Sequence, residues 1–146
     1  MRTTFIKILF STLAIFLISS CKKNEVNKGF PYVAVSKTIY LTVYPYTTLN
    51  SIGNNVLIDG VGYKGIVIYR RSLDEFVAYD RACPYDPYTG DAILDVDSSS
   101  VAMIDYHCQS KFNLYDGSIL HGPATAPMKS YRVDYSQVSQ TLYITN

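Results

Sequence analysis

The chain has 146 residues, 48% of them hydrophobic and 17% charged, with a formal net charge of +1. That is room for one domain with one core, and the balanced charge gives no single-sign patch for nucleic acid. Fourteen tyrosines and no tryptophan suit half-buried strand surfaces better than a helical bundle.

Residues 1–20 read as a targeting segment. Arg2 and Lys7 flank a short apolar run, Ile8 to Ile18, too short to span a bilayer comfortably but right for a signal-peptide core. The run ends in Ile18-Ser19-Ser20-Cys21, and small residues before a cysteine resemble the bacterial lipobox. An ordinary secretion signal with a chance cysteine is the bland alternative. The expectation is a lipoprotein signal peptide over 1–20, lipidation of Cys21, a polar tether over 21–30 and a folded domain over 31–146. The 13 basic residues less Arg2 and Lys7 leave 11 against 12 acidic ones, a mature net charge of −1. The expected location is the cell envelope, lipid-anchored to a bacterial membrane, on the periplasmic side of the outer membrane. The leader alone does not decide between inner and outer membrane.

Strand signals dominate the rest. Lys37 to Tyr44 alternates at period two until Pro45 stops it, and Tyr46 to Leu49 fits a single turn. Ser51 to Asn55 is turn chemistry, Val56 to Asp59 a short strand, and Gly60-Val61-Gly62 a reversal. Gly65–Arg70 and Glu75–Asp80 form a hairpin across Arg71 to Asp74. Arg81 to Ser100 reads as irregular, and Val101–Asp105 returns to strand. Asp116-Gly117 marks a tight turn between Lys111–Leu114 and Ile119-Leu120. Lys129–Asp134 and Gln140–Ile144 are the last strands. The class is all-β, a sandwich or small barrel of short strands.

With Cys21 assigned to lipid, Cys83 and Cys108 remain in an exported domain and must be explained as a pair. The first sits in Cys83-Pro84-Tyr85. The second opens Cys108-Gln109-Ser110-Lys111, followed by Phe112, Asp116-Gly117 and Gly122-Pro123-Ala124-Thr125-Ala126-Pro127. Together these frames resemble the Rieske pattern, C-x-H and then C-x-x-H. More specifically, they are similar to small Bacteroidetes-type envelope lipoproteins with a Rieske-like domain. The resemblance runs from about Gly65 to Val133. It implies a Rieske-like (ISP-type) antiparallel β-sandwich with a small loop-rich tip subdomain. In that family two tip loops each give one cysteine and one histidine to a 2Fe–2S cluster.

The departures from the pattern bear on function. Tyr85 and Lys111 occupy the two histidine positions. A protonated lysine offers no lone pair, and one phenolate does not replace two imidazoles. His107, beside Cys108 in an extended segment, should face away from it. His121 reads as an exposed loop histidine, and Asp86 as a turn residue next to Pro87. The expectation is therefore no cofactor and no metal, with 2Fe–2S on atypical ligands as the alternative.

In the Rieske arrangement both cysteines bind one iron, so the resemblance implies neighbouring thiols. Without metal, it implies a Cys83–Cys108 disulfide, contributing about 3 kcal/mol. Two free buried thiols are the bland alternative, and a dithiol–disulfide switch, with Lys111 lowering the Cys108 pKa, is a third. No catalytic constellation appears in the sequence, so the reading is a non-enzymatic binding or accessory module; any activity would be that of an oxidoreductase or electron-transfer component. Tyr85, Asp86, Tyr88, Ser110, Lys111 and His121 would surround the tip as a surface for an envelope protein partner. The Tyr40/Tyr44/Tyr46 and Tyr79/Tyr85/Tyr88 groupings could line a binding surface, with core or strand-face packing the bland reading.

Overall fold

The structure, a computed structural model, describes residues 29–146. The leader, Cys21 and nearly all of the tether lie outside the described residues. The elements in order are β1 (Ser36–Tyr40), a 3₁₀ turn (Tyr46–Asn50), β2 (Asn55–Ile58), β3 (Ile66–Arg70), β4 (Phe76–Asp80) and β5 (Leu94–Val96). Then follow β6 (Ala102–Asp105), β7 (Lys111–Asn113), β8 (Ile119–His121), β9 (Ser130–Ser136) and β10 (Thr141–Thr145). The architecture is all-β and antiparallel. A six-stranded sheet runs β1-β10-β9-β4-β3-β2, and a four-stranded sheet runs β5-β6-β7-β8. Among the described residues no helix is long and apolar enough to cross a membrane.

β3 explains how the two sheets share one molecule. Its sequence Ile66-Val67-Ile68-Tyr69 is continuously apolar rather than alternating, the mark of a strand covered on both faces. All five of its residues are buried. Ile66 and Ile68 join Ile39, Leu41, Leu49, Leu142 and Ile144 in one cluster. Val67 and Tyr69 face the other way, into a cluster with Leu94, Met103, Phe112, Leu114 and Cys83. The second cluster is the floor of the small sheet, so the first cysteine is rooted in the core.

Two boundaries differ from the sequence expectation. β1 ends at Tyr40 and not at Tyr44, because Tyr40 pairs with Thr141, the first residue of its partner β10. Beyond that point the chain turns, with the Val43 N–H donating to the Tyr40 carbonyl at 3.1 Å and the Tyr46 N–H to that of Val43 at 2.8 Å. β5 lies within the segment read as irregular. Its three residues pair with β6 through Leu94–Asp105, Asp95–Ile104 and Val96–Met103, a strand too short to show periodicity.

Candidate functional site

Both cysteine loops hang from carboxylates at strand ends. On β4, Phe76, Ala78 and Asp80 share a face, and all three are buried. Asp80 is made tolerable there by four donors. Its Oδ2 accepts from the Tyr63 N–H at 2.6 Å and the Tyr131 hydroxyl at 2.7 Å. Its Oδ1 accepts from the Ala82 N–H at 2.8 Å and the Lys64 N–H at 3.2 Å. Burial, and then Asp80 itself, push the Tyr131 phenol well above its ordinary range. Gly62 is required beside this hub, since it has φ +75° and a Cβ would lie 2.6 Å from Asp80 Oδ2.

From Asp80 the chain runs into the first cysteine loop. The Leu94 N–H donates to the Arg81 carbonyl at 2.6 Å, and the Cys83 N–H donates to that of Ala92 at 3.3 Å. The Lys64 ammonium ties the far side of this loop, donating to the carbonyls of Thr89 and Ala92. Cys83 is thereby fully buried.

The second loop is a tight reversal between β6 and β7. The Asp105 N–H donates to the Ser110 carbonyl at 2.9 Å, and the Gln109 N–H to that of Asp105 at 2.7 Å. Gln109 takes φ +64° to close it, a conformation that a non-glycine residue holds only under constraint. Ser110 Oγ accepts from the Ala124 N–H at 3.0 Å and lies 3.0 Å from Cys108 Sγ. The Gly122-Pro123-Ala124 segment thus braces the second cysteine through Ser110.

These loops bring Cys83 Sγ and Cys108 Sγ to 3.6 Å. Both cysteines are free thiols in this structure. One carboxylate oxygen each from Asp86 and Asp105 joins them, and the four ligand-type atoms all lie within 4.8 Å of one another. Burial pushes the Cys83 thiol above its ordinary pKa, with the Asp105 carboxylate adding to the rise; the Tyr85 backbone N–H, bonded to Cys83, pulls the other way.

The two carboxylates are held differently. Asp105 Oδ1 accepts from the backbone N–H of His107 at 2.7 Å and of Cys108 at 3.4 Å. Asp86 Oδ2 lies 3.7 Å from His107 Nε2, and His107 Nδ1 lies 3.2 Å from Asp91 Oδ2. The remaining oxygens, Asp86 Oδ1 and Asp105 Oδ2, are buried and accept no hydrogen bond among the described residues.

The positions named from sequence separate into several groups. Tyr85 and Tyr88 are exposed, and the Tyr88 hydroxyl donates to the Gly29 carbonyl at 2.9 Å. Tyr79, grouped with them by spacing, is buried on β4, as core packing expects. The Lys111 ammonium pairs with Asp97 at 3.6 Å, so its charge is engaged there. His121 is exposed, but on β8 opposite Lys111 rather than in a loop. Ser110 is fully buried and cannot belong to a docking surface, because its hydroxyl is used inside the second loop. Asp86 turns its carboxylate toward the cysteines, so it too is better placed among the site atoms than on a partner face. His107 does not face away as an extended residue would; it sits in the turn and lies against Asp86. Asp105 is not among the residues that the sequence motifs single out. Its signal was position: it shares a strand face with buried Met103, so it had to point inward.

A Rieske cluster needs two imidazoles on its second iron. Tyr85 and Lys111 supply none, and neither His107 nor His121 belongs to the group of donor atoms that converges there, which adds two carboxylates to the sulfurs. The residues present do not fit that cluster.

No protein-family model matches the chain. No curated protein matches it either. Among solved structures, it is similar to a chain from the complex of reduced oxygenase and oxidized ferredoxin in carbazole 1,9a-dioxygenase. The TM-score is 0.46 at 18% identity, over 65% of this chain and 82% of the other. It is also similar to the ferredoxin of carbazole 1,9a-dioxygenase from Nocardioides aromaticivorans IC177, with TM-score 0.45 and 15% identity over 66% and 90%. A chain assigned as an NADH-dependent nitrite reductase small subunit from Mycobacterium tuberculosis gives TM-score 0.45 and 17% identity over 79% and 97%.

Proposed function

We propose that this chain is a lipid-anchored envelope protein whose degenerate Rieske-like domain acts as a binding or accessory module, without a Rieske 2Fe–2S cluster. One observation carries the reading: the two histidine positions of the cysteine frames hold an exposed tyrosine, Tyr85, and a lysine engaged with Asp97, Lys111. The bracing of the cysteine loops through Asp80, Ser110 and Ala124 supports a scaffold kept for its shape. In the oxidised protein the Cys83–Cys108 pair is a disulfide that staples the two loops, which sit 3.6 Å apart at sulfur before that bond is made. Exposed Tyr85, Tyr88 and His121 remain the surface for an envelope partner.

A thiol–disulfide role is less well supported. Cys83 is fully buried with a raised pKa, and Lys111 is paired with Asp97, so the attacking thiolate such chemistry needs is disfavoured at Cys83. An electron-transfer role requires iron on ligands other than histidine. Full-length chain purified anaerobically should contain no acid-labile sulfide, whereas two irons and two sulfides per chain would establish electron transfer instead. Anchoring is tested separately: Cys21→Ser should move the chain from the membrane fraction to the soluble fraction, and an unchanged distribution would refute the lipid anchor.

A further inference from the structure

We propose that Cys83, Cys108, Asp105 and Asp86 form a binding site for a single thiophilic divalent ion, zinc above all. The inference rests on the reading that no Rieske cluster is held here, and it concerns the reduced chain.

Distance is the first argument. Two sulfurs bound to one tetrahedral zinc at about 2.3 Å stand about 3.8 Å apart. The sulfurs here are 3.6 Å apart, close to that edge and well beyond the roughly 2.05 Å of a disulfide. All four donor atoms lie within 4.8 Å of one another, compact enough for one ion. A two-iron cluster would spread its donors over two centres.

The second argument comes from the unpaired oxygens. Asp105 is fully buried, and its Oδ2 has no hydrogen-bond partner while Oδ1 is held by two backbone N–H groups. Asp86 shares only the bare oxygen: its Oδ2 lies 3.7 Å from His107 Nε2, and its Oδ1 is buried with no hydrogen-bond partner among the described residues. A buried carboxylate oxygen left bare is costly, and bare oxygens are uncommon in native interiors. Two of them in one four-residue group, beside two thiols, share one remedy: a cation between them.

Charge gives the same answer. Fully ionised, the four groups carry four negative charges in a largely buried space, which is untenable without a positive partner. The nearest lysine of the second loop, Lys111, is engaged with Asp97. A divalent ion would cut that charge from four negative to two. Two thiolates select a borderline-soft metal over calcium or magnesium, and two carboxylates with them suit zinc.

The surroundings are those of a metal site as well. The His107 backbone N–H orients the Asp105 carboxylate, and its ring lies 3.7 Å from the Asp86 carboxylate. Ser110 Oγ lies 3.0 Å from Cys108 Sγ, placed to donate to a thiolate. The Tyr85 N–H is directed at Cys83. Such outer contacts fix ligand orientation and typically change metal affinity about 10- to 100-fold.

The test is a metal titration of the full-length chain, purified in detergent under anaerobic reducing conditions and stripped with chelator. Cobalt(II) alone should bind one per chain, giving thiolate-to-cobalt charge-transfer absorption and the intense visible bands of a tetrahedral ion. One equivalent of zinc should abolish both. Cys108→Ser should weaken the charge-transfer absorption, and Asp105→Asn should weaken binding by at least about 100-fold with the thiolate bands retained at saturation. Should Asp105→Asn not fold, Asp86→Asn reads the same effect at a partly exposed position. Absence of cobalt bands in a folded chain with two titratable thiols overturns this proposal alone. So does wild-type affinity in both aspartate variants. Two irons with two labile sulfides would overturn it together with the proposed function.

Discussion

The backbone N–H of His107 donates to Asp105 Oδ1 at 2.7 Å, and the other oxygen of that carboxylate is buried with no hydrogen-bond partner. With the Cys108 N–H at 3.4 Å on the same oxygen, the carboxylate is fixed in place without being satisfied. The energetic consequence depends on what stands opposite the bare oxygen, and that makes the pair experimentally useful.

In chelator-treated, reduced chain, Asp105→Asn should stabilise the fold by about 1–3 kcal/mol, because an unpaired buried acceptor is replaced by an amide that can donate. In zinc-loaded chain the same change should lower the melting temperature. Thermal unfolding with and without zinc checks the reversal of sign. The same sign in both conditions would mean that Asp105 has no metal to meet.

Stability should fall on the alkaline side. The pKa values of Cys83 and Tyr131 are raised from ordinary values of 9.0 and 10.0, each chiefly by burial and then by a carboxylate, Asp105 and Asp80 respectively. Folded, both groups keep protons that the unfolded chain gives up. Their contribution is complete below about pH 9 and is lost as pH rises toward the raised folded-state values. Urea unfolding of reduced, metal-free chain across pH 7 to 11 checks this. Tyr131→Phe should lower stability at neutral pH by about 1.5–3 kcal/mol, through loss of its bond to Asp80, and flatten the alkaline decline.

Thiol reactivity should be unequal. Cys83 is fully buried with its thiol held protonated, whereas Cys108 is half-buried. Brief alkylation of reduced, metal-free chain at pH 8 should mark Cys108 well before Cys83. Peptide mass mapping distinguishes the two, and equal labelling would contradict the packing described around Cys83.

Gly62→Ala should destabilise by about 2–3 kcal/mol. It places a side chain at φ +75° and a Cβ 2.6 Å from Asp80 Oδ2 and 2.9 Å from the Tyr131 hydroxyl. Gly90→Ala, where a Cβ meets nothing within 4 Å, should change stability by less than about 0.5 kcal/mol. Chemical denaturation of the two variants side by side checks both.

How legible this molecule was in its sequence depends on the range of the interaction involved. The hairpin of β3 and β4 was legible because its signals are local, and the Asp116-Gly117 turn for the same reason, with Gly117 at φ +75°. β5 was not, since three residues gain strand character only from pairing with β6. The convergence of the two cysteines followed from the frames around them. The carboxylates did not, because Asp86 by itself looks like a turn residue and Asp105 like the polar end of a strand. Only the tertiary fold puts their oxygens beside the sulfurs. Ser110 misled in the opposite direction: a small polar residue in a loop reads as surface, yet its hydroxyl is wholly used by Ala124 and Cys108.

Whether the Cys83 and Cys108 frames hold a Rieske cluster is tested most directly by metal and acid-labile sulfide stoichiometry on full-length chain purified anaerobically with reductant. No labile sulfide and one zinc-class ion per chain are the expected result. Two irons with two sulfides per chain would contradict it.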